Sequence, residues 1–244
     1  MFKKFGVDNF PLKEQVSRRQ FKEKYKKHKE PANYTGRRYA DYLEFFQQNP
    51  DVSAVEMDTL YNQQSGPYIQ TFMFPRMLFM VGCLHCEKTS ESMSSSLNHY
   101  QERLGDDLFS LLFRLLLTDR GSEFEKANLF ELGADRKQRL NIFYCDAMQS
   151  SQKPHVENNH NYVRDIIPNG KPLDKLKQDS INIMFSHVNS TPRRVLHGKT
   201  PYELFVFYFG HYAAEALGVS EIKKDDVALN PSLIFGKRYE TSCP

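Results

Sequence analysis

Between Val52 and Leu84 the chain reads as three β-strands in succession. In VSAVEMDTL (52–60) the two-residue period places Val52, Ala54, Glu56 and Asp58 on one face and Ser53, Val55 and Met57 on the other. YIQTFMF (68–74) and MLFMVGCL (77–84) are rich in aromatic and large apolar residues, and Pro75-Arg76 between them predicts a tight hairpin turn. A helical pattern then starts at Thr89 or Ser90 and runs to about Arg103. The short amphipathic piece DDLFSLLF follows and leads into an apolar strand that ends at Asp119, before the turn at Gly121. RLNIFYCD (139–146) is a fifth strand. From Val156 onward the pattern is helical in VENNHNYVRDII, LDKLKQDSINIMFSHVNS and TPYELFVFYFGHYAAEALG; the last has Thr200 as cap, Pro201 in the first turn and Gly218 as stop. Upstream, VSRRQFKEKYKKHK (16–29) predicts a basic helix ended by Pro31, and a second helix from Tyr39 to Gln48 has Tyr39, Leu43 and Phe46 on one face. This order predicts an α/β fold with a mixed five-stranded sheet flanked by helices. The expected division is a basic helical arm over 1–50, a core over 51–218 and a tail over 219–244.

Composition narrows the picture. A chain of 244 residues with 40% hydrophobic content can build one substantial core. The net charge is only +3, but Met1 to Asn49 holds twelve Lys/Arg against six Asp/Glu, so the basic charge is local and predicts contact with nucleic acid or another acidic surface. The four cysteines, Cys83, Cys86, Cys145 and Cys243, are too few and too scattered for a disulfide scaffold and suit a reducing cytoplasm. Cys83-Leu-His-Cys86 has metal-ligand spacing but lacks the second pair that a structural zinc site needs. The start of the chain has no apolar signal-peptide core, and the run from Phe72 to Leu84 is too short and interrupted to span a bilayer.

A carboxylate in or just after an apolar strand is costly unless a cation or hydrogen bonds compensate it. Asp58 and its same-face neighbour Glu56 are in this position on the first strand, and spacing alone does not choose between them. Asp119 ends the fourth strand, where it is equally a turn former ahead of Gly121. Glu157 opens the helix after the fifth strand, where a carboxylate also complements the helix dipole. Carboxylates from separate segments that converge are what two-metal phosphoryl transfer requires.

Met57-Asp58-Thr59, Leu117-Thr118-Asp119-Arg120-Gly121-Ser122-Glu123-Phe124, Glu157-Asn158-Asn159-His160, Asn189-Ser190 and Thr200-Pro201-Tyr202-Glu203-Leu204-Phe205 resemble, in order and spacing, the DDE transposases of bacterial insertion sequences. More narrowly, the chain looks like the group typified by insertion sequence thirty, over about Tyr39 to Leu217. The resemblance implies a ribonuclease H-like, retroviral-integrase-like core in which Asp58, Asp119 and Glu157 are catalytic and hold two Mg²⁺ ions, with Mn²⁺ as an alternative. It selects Asp58 over Glu56. It further implies metal-dependent strand cleavage and strand transfer on double-stranded DNA by a homo-oligomer in a bacterial, nucleoid-associated setting. Arg18, Arg19, Lys22, Lys26, Arg120, Lys153, His160, Arg164, Arg193 and Arg194 are the expected DNA contacts. Arg120 stands where these transposases usually have Asn, and Pro154 where a Gly usually precedes the third acid. The residues before the first strand are too few for a complete helix-turn-helix region, so a fragment is expected. The competing expectations are a non-catalytic remnant that binds DNA or dimerises, and a structure-selective nuclease of the same fold.

Overall fold

β1 (Ala54–Tyr61), β2 (Tyr68–Phe74) and β3 (Phe79–His85) form an antiparallel meander in the computed structural model, which describes residues 34–236. The helix expected over 16–29, and with it Arg18, Arg19, Lys22 and Lys26, lies outside the described residues. β4 (Leu115–Thr118) and β5 (Asn141–Tyr144) add parallel to β1 on its other side, giving the strand order β3-β2-β1-β4-β5. Three antiparallel strands extended by two parallel ones form the ribonuclease H-like sheet.

Both faces of this sheet are covered, which explains why β2 is buried at every position. On one face lie α2 (Ser90–Leu104) and α3 (Asp106–Phe113), the first capped by the Thr89 side chain, which accepts from Ser92 N. Their Tyr100 and Phe113 rings meet Phe72 and Phe74 at centroid distances of 5.4–5.7 Å, within the range of favourable aromatic packing. On the other face, α1 (Tyr39–Gln48) lays Tyr39, Tyr42, Phe45 and Phe46 over Leu115, Leu117 and Phe143. α1 therefore packs on the sheet rather than leading away from it as an arm. The short α4 (Ala127–Glu131) precedes β5, and α5 (Pro154–Ile166) follows it.

Several boundaries differ from those the sequence predicts, and three of them have a clear local cause. The β2–β3 turn runs over four residues, Pro75 to Leu78, with Leu78 at φ 53°, so β3 begins two residues later than expected. α6 (Gln178–Asn189) starts only after the turn at Leu173–Leu176. α7 (Pro201–Ala216) has a full capping box at Thr200 and Glu203 but breaks at Gly210, whose φ of 82° lies in the region open to glycine. Beyond α7, Val219 is buried, and Leu229 and Leu233 to Phe235 pack on the core, the last three within α8 (Ser232–Phe235). Among the described residues, no helix is long and apolar enough to cross a membrane.

Candidate active site

β1 and β4 run parallel side by side, so residues near their C-terminal ends come together although far apart in sequence. Asp58 sits on β1 and Asp119 directly after β4. Each is oriented by a local backbone bond: Thr59 N donates to Asp58 Oδ1 at 2.8 Å, and Gly121 N donates to Asp119 Oδ1 at 3.0 Å. Between them lies the Lys153 ammonium, 3.5 Å from Asp58 Oδ1 and 3.7 Å from Asp119 Oδ2, which also donates to the Met57 carbonyl at 3.1 Å. Burial pushes the Asp58 carboxyl above its ordinary value; Lys153 opposes the rise and the charge on Asp119 adds to it. Asp58, Asp119 and Glu157 line one open cavity of about 390 Å³, together with Arg120, Met148 and Lys153.

Glu157 is exposed on the wall of the same cavity. Among the described residues, no three His, Cys, Asp or Glu side chains lie close enough together to hold one ion. The donor chemistry of the aspartate pair nevertheless fits a hard divalent cation, since two carboxylates aim oxygens at one positive centre and the ammonium stands in for that cation. A larger cavity of about 860 Å³ opens at the N-terminal ends of the parallel strands, between Arg76, Arg114, Leu111 and Tyr208, away from this constellation.

Over 91 residues, 37% of its length, the chain is 29% identical to the "Putative integrase ORF3" of Spiroplasma virus SpV1-R8A2 B, and it spans only about a quarter (27%) of that relative. No known protein-family profile matches. Among solved structures, the chain is similar to the catalytic core domain of BIV integrase, with a TM-score of 0.45 and 17% identity over 64% of this chain and 95% of that one. It is also similar to the HTLV-2 integrase catalytic core domain in complex with magnesium, with a TM-score of 0.41 and 16% identity over 62% and 94%. Strand order and direction, rather than these scores, carry the fold assignment.

The other expected DNA contacts separate by burial. Lys153 and Arg193 are each 3% exposed. Arg193 stacks on the Tyr162 ring at 3.4 Å and donates to the Val188 carbonyl at 3.0 Å, and so joins α5 to the end of α6; Arg194 next to it is exposed. His160 bonds to Thr71 Oγ1 at 3.0 Å and is held down to about 3, by burial first and then by Lys153 and Arg164, so it is neutral near pH 7 and offers no charge to DNA. Arg164 donates to Asn62 Oδ1 at 2.6 Å, while Asn62 Nδ2 donates to the carbonyls of Pro168 and Lys171; together they tie the end of β1 to the end of α5. Arg120 reaches across to the end of β5, where its Nε donates to the Cys145 carbonyl at 2.9 Å and its Nη2 lies 3.4 Å from Asp146 Oδ1. In this position it braces the cavity rim.

Two residues that the sequence reading did not place in supporting roles complete the site. Glu56, 4% exposed, accepts from Val156 N and bonds to His155 Nδ1, both at 2.7 Å, and so anchors the start of α5 to β1. Pro154 opens α5, where a missing N–H costs nothing and the fixed φ suits the helix. The signal for Glu56 was its shared face with Asp58; His155 gave none.

Proposed function

We propose that the chain carries the catalytic core of a polynucleotidyl transferase of the integrase and transposase type, cleaving DNA strands and joining the freed ends to a second duplex. Within that class the motifs favour the DDE transposases of the group typified by insertion sequence thirty. The observation that carries the reading is the aspartate pair: Asp58 and Asp119 come from different strands, aim at one cationic centre, and open onto a cavity whose wall also bears Glu157. The partial match to a protein named as an integrase supports the same class.

Asp58, Asp119 and Glu157 would hold two Mg²⁺ ions, or Mn²⁺ in their place. When bound, these supply Lewis acidity toward a phosphodiester and toward the attacking water or 3′-hydroxyl. The chain's own contribution is orientation. At Asp119 the Gly121 amide fixes Oδ1 and leaves Oδ2 turned toward the cationic centre; at Asp58 the Thr59 amide fixes Oδ1, the same oxygen that faces Lys153, while Oδ2 lies 3.9 Å from His160 Nδ1. Glu56 holds the start of α5 in place, and with it Glu157 one turn further on. The exposed Arg194 and the basic segment with Arg18, Arg19, Lys22 and Lys26 are suited to phosphates. Joining both ends of a mobile segment needs more than one copy of such a site.

The test is cleavage of a labelled DNA duplex carrying the element's ends, with Mg²⁺ or Mn²⁺. Asp119→Asn should abolish metal-dependent cleavage while filter or gel-shift binding stays within about threefold, because a carboxylate adds no attraction for the phosphate backbone. Undiminished cleavage would sink the assignment. Binding without cleavage by the unsubstituted protein would favour the non-catalytic remnant.

A further inference from the structure

A lysine that serves DNA keeps its ammonium in solvent, where a phosphate can reach it. Lys153 does not. It is 3% exposed, and its ammonium lies close to three protein oxygens: the Met57 carbonyl at 3.1 Å, Asp58 Oδ1 at 3.5 Å and Asp119 Oδ2 at 3.7 Å. Its backbone is set as the residue that caps α5, directly before Pro154, and Glu56 pins that helix start to β1. The position of the ammonium therefore follows from the fold and not from a flexible surface chain. Two carboxylates facing one another in a partly buried cleft repel, and a single positive charge between them removes most of that repulsion.

We propose that Lys153 is a positioning residue that acts as the resident counter-cation of the Asp58–Asp119 pair. It keeps the two carboxylates converged while no divalent ion is bound, and it competes with an arriving ion for the same oxygens. The proposal rests on the reading of Asp58 and Asp119 as the metal-holding pair. Its consequence is that metal affinity is set low by the protein itself, so that loading depends on moving the ammonium aside. The four-carbon stem of lysine permits such a movement.

The experiment uses the full chain without DNA. Free Mn²⁺ is followed by electron paramagnetic resonance during titration, and melting is recorded in EDTA and in Mg²⁺, for the unsubstituted protein, Lys153→Met, Lys153→Gln and Asp119→Asn. Lys153→Met should bind Mn²⁺ at least about tenfold more tightly than the unsubstituted protein, a cautious figure for removing a like charge about 4 Å from the ion's ligands. It should melt lower in EDTA and recover more in Mg²⁺ than the unsubstituted protein does. Lys153→Gln, which can still donate to the Met57 carbonyl, carries the same expectation should the Met variant fail to fold. Mn²⁺ affinity unchanged or weaker in the folded Lys153 variants overturns the proposal, as does a lowered melting temperature that Mg²⁺ leaves untouched. Asp119→Asn separates this from failure of the parent reading. If it weakens Mn²⁺ binding while the Lys153 variants do not strengthen it, only the counter-cation idea falls; if it leaves Mn²⁺ binding unaltered, the aspartates are not the metal pair.

Discussion

His85, at the end of β3, has its ring under α2, with Nδ1 2.9 Å from Ser92 Oγ and Nε2 3.0 Å from Gln70 Oε1. An amide oxygen only accepts, so Nε2 carries the proton, and Nδ1 accepts from the serine hydroxyl. Burial holds this histidine down to about 4, against about 6.5 in an unfolded chain. The sign follows from linkage: the unfolded chain binds the extra proton first, so stability is full above pH 6.5 and falls as pH drops from 6.5 toward 4. Over pH 6.5 to 5 the loss from this residue should be about 2 kcal/mol. Urea unfolding at pH 7 and pH 5 measures it, and His85→Asn should shrink the difference between the two by that amount; an identical difference in both proteins would assign the acid sensitivity elsewhere. At this scale the sequence is least legible. His85 was read only as part of a weak metal spacing, and Lys153 and Arg193 only as surface cations, because a polar residue at a helix start or in a loop reads as solvated. Their burial depends on partners far away in sequence: Lys153 meets Met57 and Asp58, and Arg193 meets Tyr162.

Among the elements, β3 is the sheet's edge, and its outward-facing backbone groups at Met80, Gly82 and Leu84 are those an added strand would use. α6 closes them with side chains. Asn189 Oδ1 accepts from Met80 N at 2.9 Å and its Nδ2 donates to Met80 O at 2.7 Å, while Gln178 accepts from Leu84 N and donates to the Gly82 carbonyl. The helix can come this close because position 82 is glycine: a Cβ there would stand 2.5 Å from Phe185 Cε2 and 2.9 Å from the Gln70 carbonyl. Asn189 is fully buried, so Asn189→Leu leaves both Met80 groups without a partner. It should cost about 2–6 kcal/mol, given roughly 1–3 for each of the two buried groups left unpaired. A shift of less than half that in a denaturant titration would show that water reaches the edge. Element type was legible from periodicity for all five strands and for the longer helices, but not for α4 or α8, which are too short to show a period. What else was missed lay at ends and breaks, where local geometry decides: the four-residue turn through Leu78, the late start of α6 and the break at Gly210.

Across the whole molecule, the sheet has to be closed at its other edge as well, because among the described residues β5 has no further strand beside it. The segment ahead of α1 takes that place: Tyr144 N donates to the Arg37 carbonyl at 2.8 Å, Arg38 bridges to Tyr144, and the Tyr34 ring meets Tyr144 edge-on at 4.8 Å. A two-pronged contact locks it, with Arg37 Nε and Nη2 donating to the two oxygens of Glu131 at 3.0 and 2.7 Å. Glu131 Oε1 also accepts from Ile142 N at 3.3 Å, so a single carboxylate ties this segment to β5. The same strand ends near the candidate site, since Cys145 and Asp146, just beyond β5, receive Arg120 from the rim. The position of the aspartates at the strand ends was legible through the motif resemblance, but this bracing was not, because it joins residues about a hundred positions apart. Arg37→Ala should therefore loosen β5 and leave the meander intact. The expected cost is about 1.5–3 kcal/mol for a charge-assisted, partly buried pair. Amide exchange should quicken at Tyr144 and Ile142 while Phe72 and Val81, inside the β2–β3 pairing, keep their protection. If Tyr144 stays protected, the backbone bridge and the Tyr34 ring close the edge by themselves; if all four amides quicken together, the sheet opens as one unit and β5 has no separate hold on the site.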